Sequence, residues 1–271
     1  MTMTSATYSL HVDDSGSGVP VVALHSSGFS ARQWRRLASM LVERAFRAVV
    51  PDLVGHGGSP EWPEPTPFSF LVDVDHVVAL LETLGGPVHL VGHSYGAYVA
   101  LLAERSVPWR VLSLALYEPV SFGVLDAVED AAAMRELETV GSAWDGSVEG
   151  RELWLQSFVD YWSGPGAWTA LREEARAEFR RVAWVVYRAV VALVEDRTPA
   201  SAYRVVTAPV LLMTGEESTL AAHAIVRHLS ETLPHARVVT VPGAGHMGPL
   251  THADVVNAHI VEWLACVAGA A

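Results

Sequence analysis

Ser94 stands at the centre of Gly92-His93-Ser94-Tyr95-Gly96, after an apolar run (Val88, Leu90, Val91) and before an alanine-rich segment with helical spacing. That order reads as strand, sharp turn and helix, with a serine at the apex. So tight a turn strains the serine backbone, and glycines on either side remove side chains that would collide. The hydroxyl is then presented at the carboxyl end of the strand. The free N–H groups of the helix's first turn point at whatever it attacks. A serine in this setting reads as a nucleophile; the plainer reading is an ordinary turn serine.

Other residues with chemical capacity have simpler roles. His25 and His56 read as ties between loop backbones, His93 as packing beside the turn, and Asp52 as fastening its own turn. His223 and His228 share no helix face, and no metal site is expected. Every one of the 18 basic residues is arginine, which excludes a Schiff-base, Ser-Lys or pyridoxal phosphate mechanism.

The elements that must position Ser94 alternate along the chain. Strands are expected at Thr7–Val12, Val19–Leu24, Phe46–Val50, the run before Gly92, and Val111–Tyr117, with turn chemistry at Asp13–Gly18. Helices are expected at Ala31–Arg44, Phe70–Leu84 and from the turn to about Arg105, with Glu61–Pro67 an irregular proline-rich loop. Such alternation points to a parallel sheet covered on both faces. It stops after Glu118-Pro119, where three helical segments follow, Val124–Val140, Val148–Trp162 and Trp168–Val194. It resumes with a strand at Pro209–Met213, a helix at Ala221–Leu233, a strand at Arg237–Val241 and a helix at Ala253–Ala268. The expected architecture is therefore an α/β core from residues 1–119 and 204–271, with residues 120–203 inserted as a helical cap.

Composition narrows the function. With 271 residues, 51% of them hydrophobic and 18% charged, the chain can bury a large core. A net charge of −12 argues against nucleic acid and anionic membranes as partners. No apolar run reaches bilayer length and Met1–Ser9 lacks a leader pattern, so a cytoplasmic location is expected. The single cysteine, Cys266, permits no intramolecular disulfide.

Four landmarks then fall in a telling order: His25-Ser26-Ser27-Gly28 after an early strand, Asp52 to Ser59 (Asp-x-x-Gly-His-Gly-x-Ser) after the next, Gly92 to Gly96, and Gly243-Ala244-Gly245-His246 late in the chain. With the strands between them, they resemble the α/β-hydrolase superfamily, in its single-domain serine-hydrolase form with a helical cap. The resemblance covers essentially the whole chain and implies a mostly parallel sheet of about 7–8 strands. It also implies that Ser94 attacks, that His246 takes and returns its proton, and that the N–H groups of Ser27 and Tyr95 form the oxyanion hole. Ser26 stands where the family usually has glycine. The family's usual acid position holds Ser218, so the acid is expected at Glu118, where some members carry it one strand earlier; Glu216 and Glu217 are the alternatives.

The inserted segment is rich in aromatic residues, and Trp154, Phe158, Tyr161 and Trp162 fall on one helical stripe. Most of these rings are expected to pack the cap itself. Trp154, Phe158 and Trp184, with Phe29, Phe122 and Met247, are the expected pocket residues. The resulting expectation is a cofactor-free serine hydrolase, monomer or homodimer, acting on a small to medium apolar ester, thioester or lactone. The alternatives are a ligand-binding protein with little turnover and a C–C bond hydrolase on the same residues. Perhydrolase or cofactor-free oxygen chemistry is a third possibility on this scaffold.

Overall fold

A computed structural model describes residues 9–62, 67–138, 140 and 144–270. Seven strands form one sheet in the order β1-β3-β2-β4-β5-β6-β7. They are β1 (Val12–Gly16), β2 (Pro20–Leu24), β3 (Arg47–Pro51), β4 (Val88–His93), β5 (Val111–Tyr117), β6 (Val210–Gly215) and β7 (Ala236–Val241). All pairings are parallel except β1 with β3.

The central strands are apolar on both faces because both are covered. Val22, Leu24, Leu90, Leu114, Leu116, Val210 and Leu212 belong to one core, and the residues between them, Val21, Ala23, Val91, Ala115 and Leu211, to the other. Successive side chains of a strand point to opposite faces, so an unbroken apolar run serves two cores at once. Helices α2 (Phe70–Thr83), α3 (Tyr95–Ser106) and α8 (Leu220–Thr232) contribute to the first core, and α1 (Arg35–Glu43) and α10 (Ala253–Ala270) to the second. The expected helix at Ala31–Arg44 is divided, with a 3-10 turn at Ala31–Trp34 preceding α1.

The start of the chain departs from expectation. Asp13–Gly18, read as a turn, is largely β1, while residues 9–11 are not strand and Thr7 and Tyr8 lie outside the described residues. β1 is an edge strand, and most of its residues face water, so it has no apolar alternation to recognise. Arg47 Nε and Nη2 donate to the two oxygens of Asp14, at 2.9 and 2.6 Å, across the β1–β3 pair. Of the proline-rich loop, residues 63–66 lie outside the described residues.

Between β5 and β6 the chain forms α4 (Ala131–Glu138), α5 (Val148–Ser163), α6 (Ala167–Ala170) and α7 (Glu173–Glu195). The first of the three expected segments is shorter than its sequence implied. Residue 139 lies outside the described residues, and Asp126 at the other end accepts from the N–H groups of Val128 and Glu129 and holds a turn before the helix. Short α9 (Gly248–Thr251) precedes α10. From β2 the chain runs to β3 on one side and then to β4 on the other, so a crevice opens at the carboxyl ends of β2 and β4, where α/β sheets bind ligands.

Candidate active site

Ser94 occupies the end of β4 with φ 55° and ψ −116°, a conformation costly for a residue with a side chain. Its neighbours hold it there. The Ser94 N–H donates to Tyr117 O at 2.9 Å, and Ser94 O accepts from Tyr98 N–H at 3.0 Å. The flanking glycines are required by close approach. A Cβ on Gly92 would lie 2.5 Å from Ala97 Cα, and one on Gly96 2.4 Å from Leu24 O.

His246, on the loop after β7, donates from Nδ1 to Glu118 Oε2 at 2.7 Å. This leaves Nε2 as the ring's free lone pair, and His246 and Ser94 line one cavity. Glu118 is buried at the end of β5, also at positive φ, 46°. Its Oε1 accepts from Thr214 Oγ1–H at 2.8 Å and Gly215 N–H at 2.7 Å, and its Oε2 also accepts from Ser218 Oγ–H at 2.7 Å. Burial pushes this carboxyl up, but the hydrogen bond and charge of His246, with the other donors, outweigh it and hold the group below its ordinary value. Ser218, where the resemblance places an acid, thus donates to Glu118 instead. Glu216 and Glu217 are exposed, the His246 Nδ1 bond goes to Glu118 rather than to either, and Glu216 Oε2 accepts from Gly243 N–H at 2.9 Å.

Around the loop after β2, the N–H groups of Ser26, Gly28 and Phe29 bond to Gln33 Oε1, His56 Nε2 and Ser26 O. Among the described residues no acceptor is found for the N–H of Ser27, and Tyr95, first residue of α3, carries one of the N–H groups that a helix's first turn leaves without an intrahelical acceptor. Both residues flank Ser94's side of the crevice, Ser27 in the cavity lining itself. The plainer histidine readings hold for two rings. His25 Nδ1–H donates to Ser26 O at 2.8 Å and its Nε2 accepts from Leu53 N–H at 3.0 Å. His56 Nδ1–H donates to Val54 O, and burial together with the charge of His25 pushes its pKa down to about 3. Asp52 accepts from Ala31 N–H at 2.6 Å and Gly58 N–H at 2.8 Å.

The cavity measures about 730 Å³ including its open mouth. Among the described residues, its lining carries no Asp, Glu, Lys or Arg. Of the expected pocket residues, Phe29, Phe122, Phe158 and Met247 line it, and two do not. Trp154 stacks on Phe158 with centroids 5.2 Å apart and donates from Nε1 to Val140 O, inside the helical segment. Trp184 lies on the side of α7 opposite the buried Val182, Val185 and Val186, and is 38% exposed beside Trp62. In their place stand Trp162 and Phe179. Trp162 lies against the His246 ring, centroids 4.0 Å apart. Its signal in the sequence was its place four residues after Phe158 on the same stripe.

Residues 21–259 match the alpha/beta hydrolase family. Along most of its length the chain is similar to a pimeloyl-(acyl-carrier protein) methyl ester esterase of Chromobacterium violaceum, 32% identical over 248 residues, 90% of this chain and 93% of that protein. Lipase LipV of Mycobacterium tuberculosis is 40% identical over 113 residues, a match spanning 41% of each chain. Among solved structures, a thermophilic esterase of Thermogutta terrifontis superposes with a TM-score of 0.74 at 24% identity, covering 98% of this chain and 96% of that one; at that identity the likeness concerns the fold.

Proposed function

The chain belongs to the alpha/beta hydrolase family and is an enzyme with hydrolase activity; from that premise we propose that it cleaves a small to medium, uncharged apolar ester, thioester or lactone through an acyl-enzyme on Ser94. The observation that carries this reading is the 2.7 Å bond from His246 Nδ1 to the buried Glu118 carboxylate, with His246 and Ser94 on one cavity. Residues 120–203 act as the cap that closes over the substrate.

In this mechanism Ser94 Oγ attacks the acyl carbon as His246 Nε2 takes its proton. The Glu118 carboxylate stabilises the imidazolium, and the N–H groups of Ser27 and Tyr95 hold the oxyanion. The imidazolium then protonates the departing alkoxide or thiolate. A water deprotonated by His246 attacks the acyl-enzyme, and the proton returns to Ser94 as the carboxylic acid leaves. No cofactor enters any step. The binding-protein reading rested on the lack of an acid at Ser218; the Glu118 carboxylate at His246 Nδ1 supports the hydrolase reading instead. C–C cleavage of a diketone would use the same residues, but a described lining without Asp, Glu, Lys or Arg favours neutral esters over carboxylate-bearing substrates.

The test is a panel of neutral esters, thioesters and lactones turned over by wild type and Ser94→Ala, with labelling of Ser94 by a small fluorophosphonate. Turnover no faster in wild type than in Ser94→Ala sinks the proposal. Glu118→Gln is expected to slow labelling by up to about 3 × 10⁴, the loss seen when a triad acid is removed. Glu216→Gln and Glu217→Gln should label at the wild-type rate, and slowing by either would move the acid to the later strand.

A further inference from the structure

His93, read from the sequence as mere packing, lies in the middle of a hydrogen-bonded chain joining two loops on either side of Ser94. At one end, Ser26 N–H and Ser26 Oγ–H both donate to Gln33 Oε1, at 3.1 and 2.9 Å. Gln33 Nε2 lies 3.2 Å from His93 Nδ1, and His93 Nε2 lies 2.9 Å from His246 O. The direction of every bond is forced. A backbone N–H can only donate, so the Gln33 oxygen faces Ser26 and its NH₂ faces His93. A carbonyl can only accept, so the proton of His93 is on Nε2 and Nδ1 is the acceptor. The chain is satisfied at each link only if His93 is neutral.

Its surroundings keep it so. His93 is fully buried, and burial first, then the charge of His246, hold its pKa well below the ordinary range. Its ring faces those of His246 at 5.0 Å and Tyr117 at 5.6 Å. His25 is the other titratable group acting on it directly, and the carboxylates of Glu118 and Asp52 act on His246 and His25 respectively. Tyr117 O–H adds a second hold on the same loop, donating to Gly245 O at 2.7 Å.

We propose that Gln33 and His93 are positioning residues that keep the oxyanion-hole loop at Ser27 in register with the loop carrying His246. The inference rests on the roles assigned above to Ser27 and His246. Ser27 follows one end of the chain directly, and the His246 carbonyl is the other end, so a shift of either loop breaks a bond in the chain. The hydroxyl of Ser26, at the position where the resemblance expects glycine, supplies the second bond to Gln33. The departure from the family pattern thereby acquires a use.

The test uses the full chain and the rate constant for fluorophosphonate labelling of Ser94. That rate reports folded molecules: irreversibly unfolded chains lower the amplitude alone, and reversible unfolding scales the rate only by the folded fraction, which an unfolding curve of each variant supplies. Gln33→Met keeps the volume but makes no bond. It should slow labelling by at least tenfold, up to about 10²-fold as for misplaced catalytic groups, with KM for a neutral ester changed less than about twofold. Ser26→Gly, which keeps the backbone donor, should slow it less. Gln33→Glu is the diagnostic variant. Its carboxylate still accepts from Ser26 but places a second acceptor opposite His93 Nδ1, so both ring nitrogens then need hydrogens. A new ionisation should enter the pH profile of kcat/KM, absent from wild type and Gln33→Met. Wild-type rates and a wild-type pH profile in all three variants would overturn the register role, as would a lowered melting temperature with labelling unchanged. An unlabelled wild type would instead sink the underlying assignment of Ser94 and His246.

Discussion

Two of the non-glycine residues at positive φ are Ser94 and Glu118, and each is clamped by a bond to the next strand's end: Ser94 N–H to Tyr117 O, and Glu118 N–H to Met213 O. Strain of about 1–3 kcal/mol per residue persists only where the surroundings over-determine it. Here the strained residues end adjacent strands, with Ser94 lining the cavity and Glu118 buried against His246 Nδ1. Beneath the turn lies a third unusual residue. Asp73, fully buried on α2, accepts from Tyr95 O–H at 2.7 Å and Val54 N–H at 3.0 Å. Burial outweighs these donors and pushes its carboxyl up to about 6 from 3.8. Below pH 3.8 both folded and unfolded chains hold the proton. Between there and pH 6 only the folded chain keeps it, so rising pH favours unfolding, and above 6 the penalty is constant. Asn at this position can accept from Val54 and donate to Tyr95 without a charge. Asp73→Asn should match wild-type stability near pH 3.5 and exceed it by about 3 kcal/mol at pH 8, the equivalent of two pKa units. Denaturant unfolding of both proteins across that range checks it; parallel curves would refute a buried charge.

At the scale of elements, the turn at Ser94 depends on how closely α3 approaches β2. A Cβ on Gly96 would meet Leu24 O at 2.4 Å and His25 O at 2.5 Å. Both atoms are backbone, so neither can swing aside. Gly96→Ala must lift the first turn of α3 from the end of β2, carrying the Tyr95 N–H away from Ser94. The expected cost is about 1–3 kcal/mol of stability or more, with loss of fluorophosphonate labelling. Gly85, with open space around it, is the control, and Gly85→Ala should label normally. The same scale explains Trp184. The buried stripe of α7 runs through Phe179, Val182, Val186, Val190 and Leu193, and Trp184 lies outside it.

For the whole molecule, a charge of −12 surrounds a cavity whose described lining carries none. The two act on an anionic substrate by different physics. The outer field is screened within about 10 Å at 0.1 M salt, whereas an unpaired carboxylate in a dry apolar cavity costs several kcal/mol at any salt. Of two esters alike in size, one ending in methyl and one in carboxylate, the neutral one should be preferred by about 10³ or more in kcat/KM. That preference should survive 0.5 M salt, and its collapse on adding salt would place the discrimination outside the cavity.

Local chemistry alone determined the two-sided strands, the helices between them and the serine turn, because short unbroken apolar runs, helical stripes and flanking glycines are written in adjacent residues. Composition excluded lysine chemistry outright. The tertiary structure decided what depends on distant residues meeting. Three glutamates end strands or begin loops at the same sheet edge, and only the parallel registers of β5, β6 and β7 bring Glu118 to a histidine 128 positions away. The polar edge strand β1 was hidden because its partner, rather than its own pattern, makes it a strand. Position along one stripe of α5, at the end beside His246, chose Trp162 over Trp154 for the cavity, and the rotation of α7 about its axis chose Phe179 over Trp184. The chain from Ser26 through Gln33 and His93 to His246 spans three separate segments. Each link is an ordinary polar residue in sequence, and its meaning comes from the atom it meets.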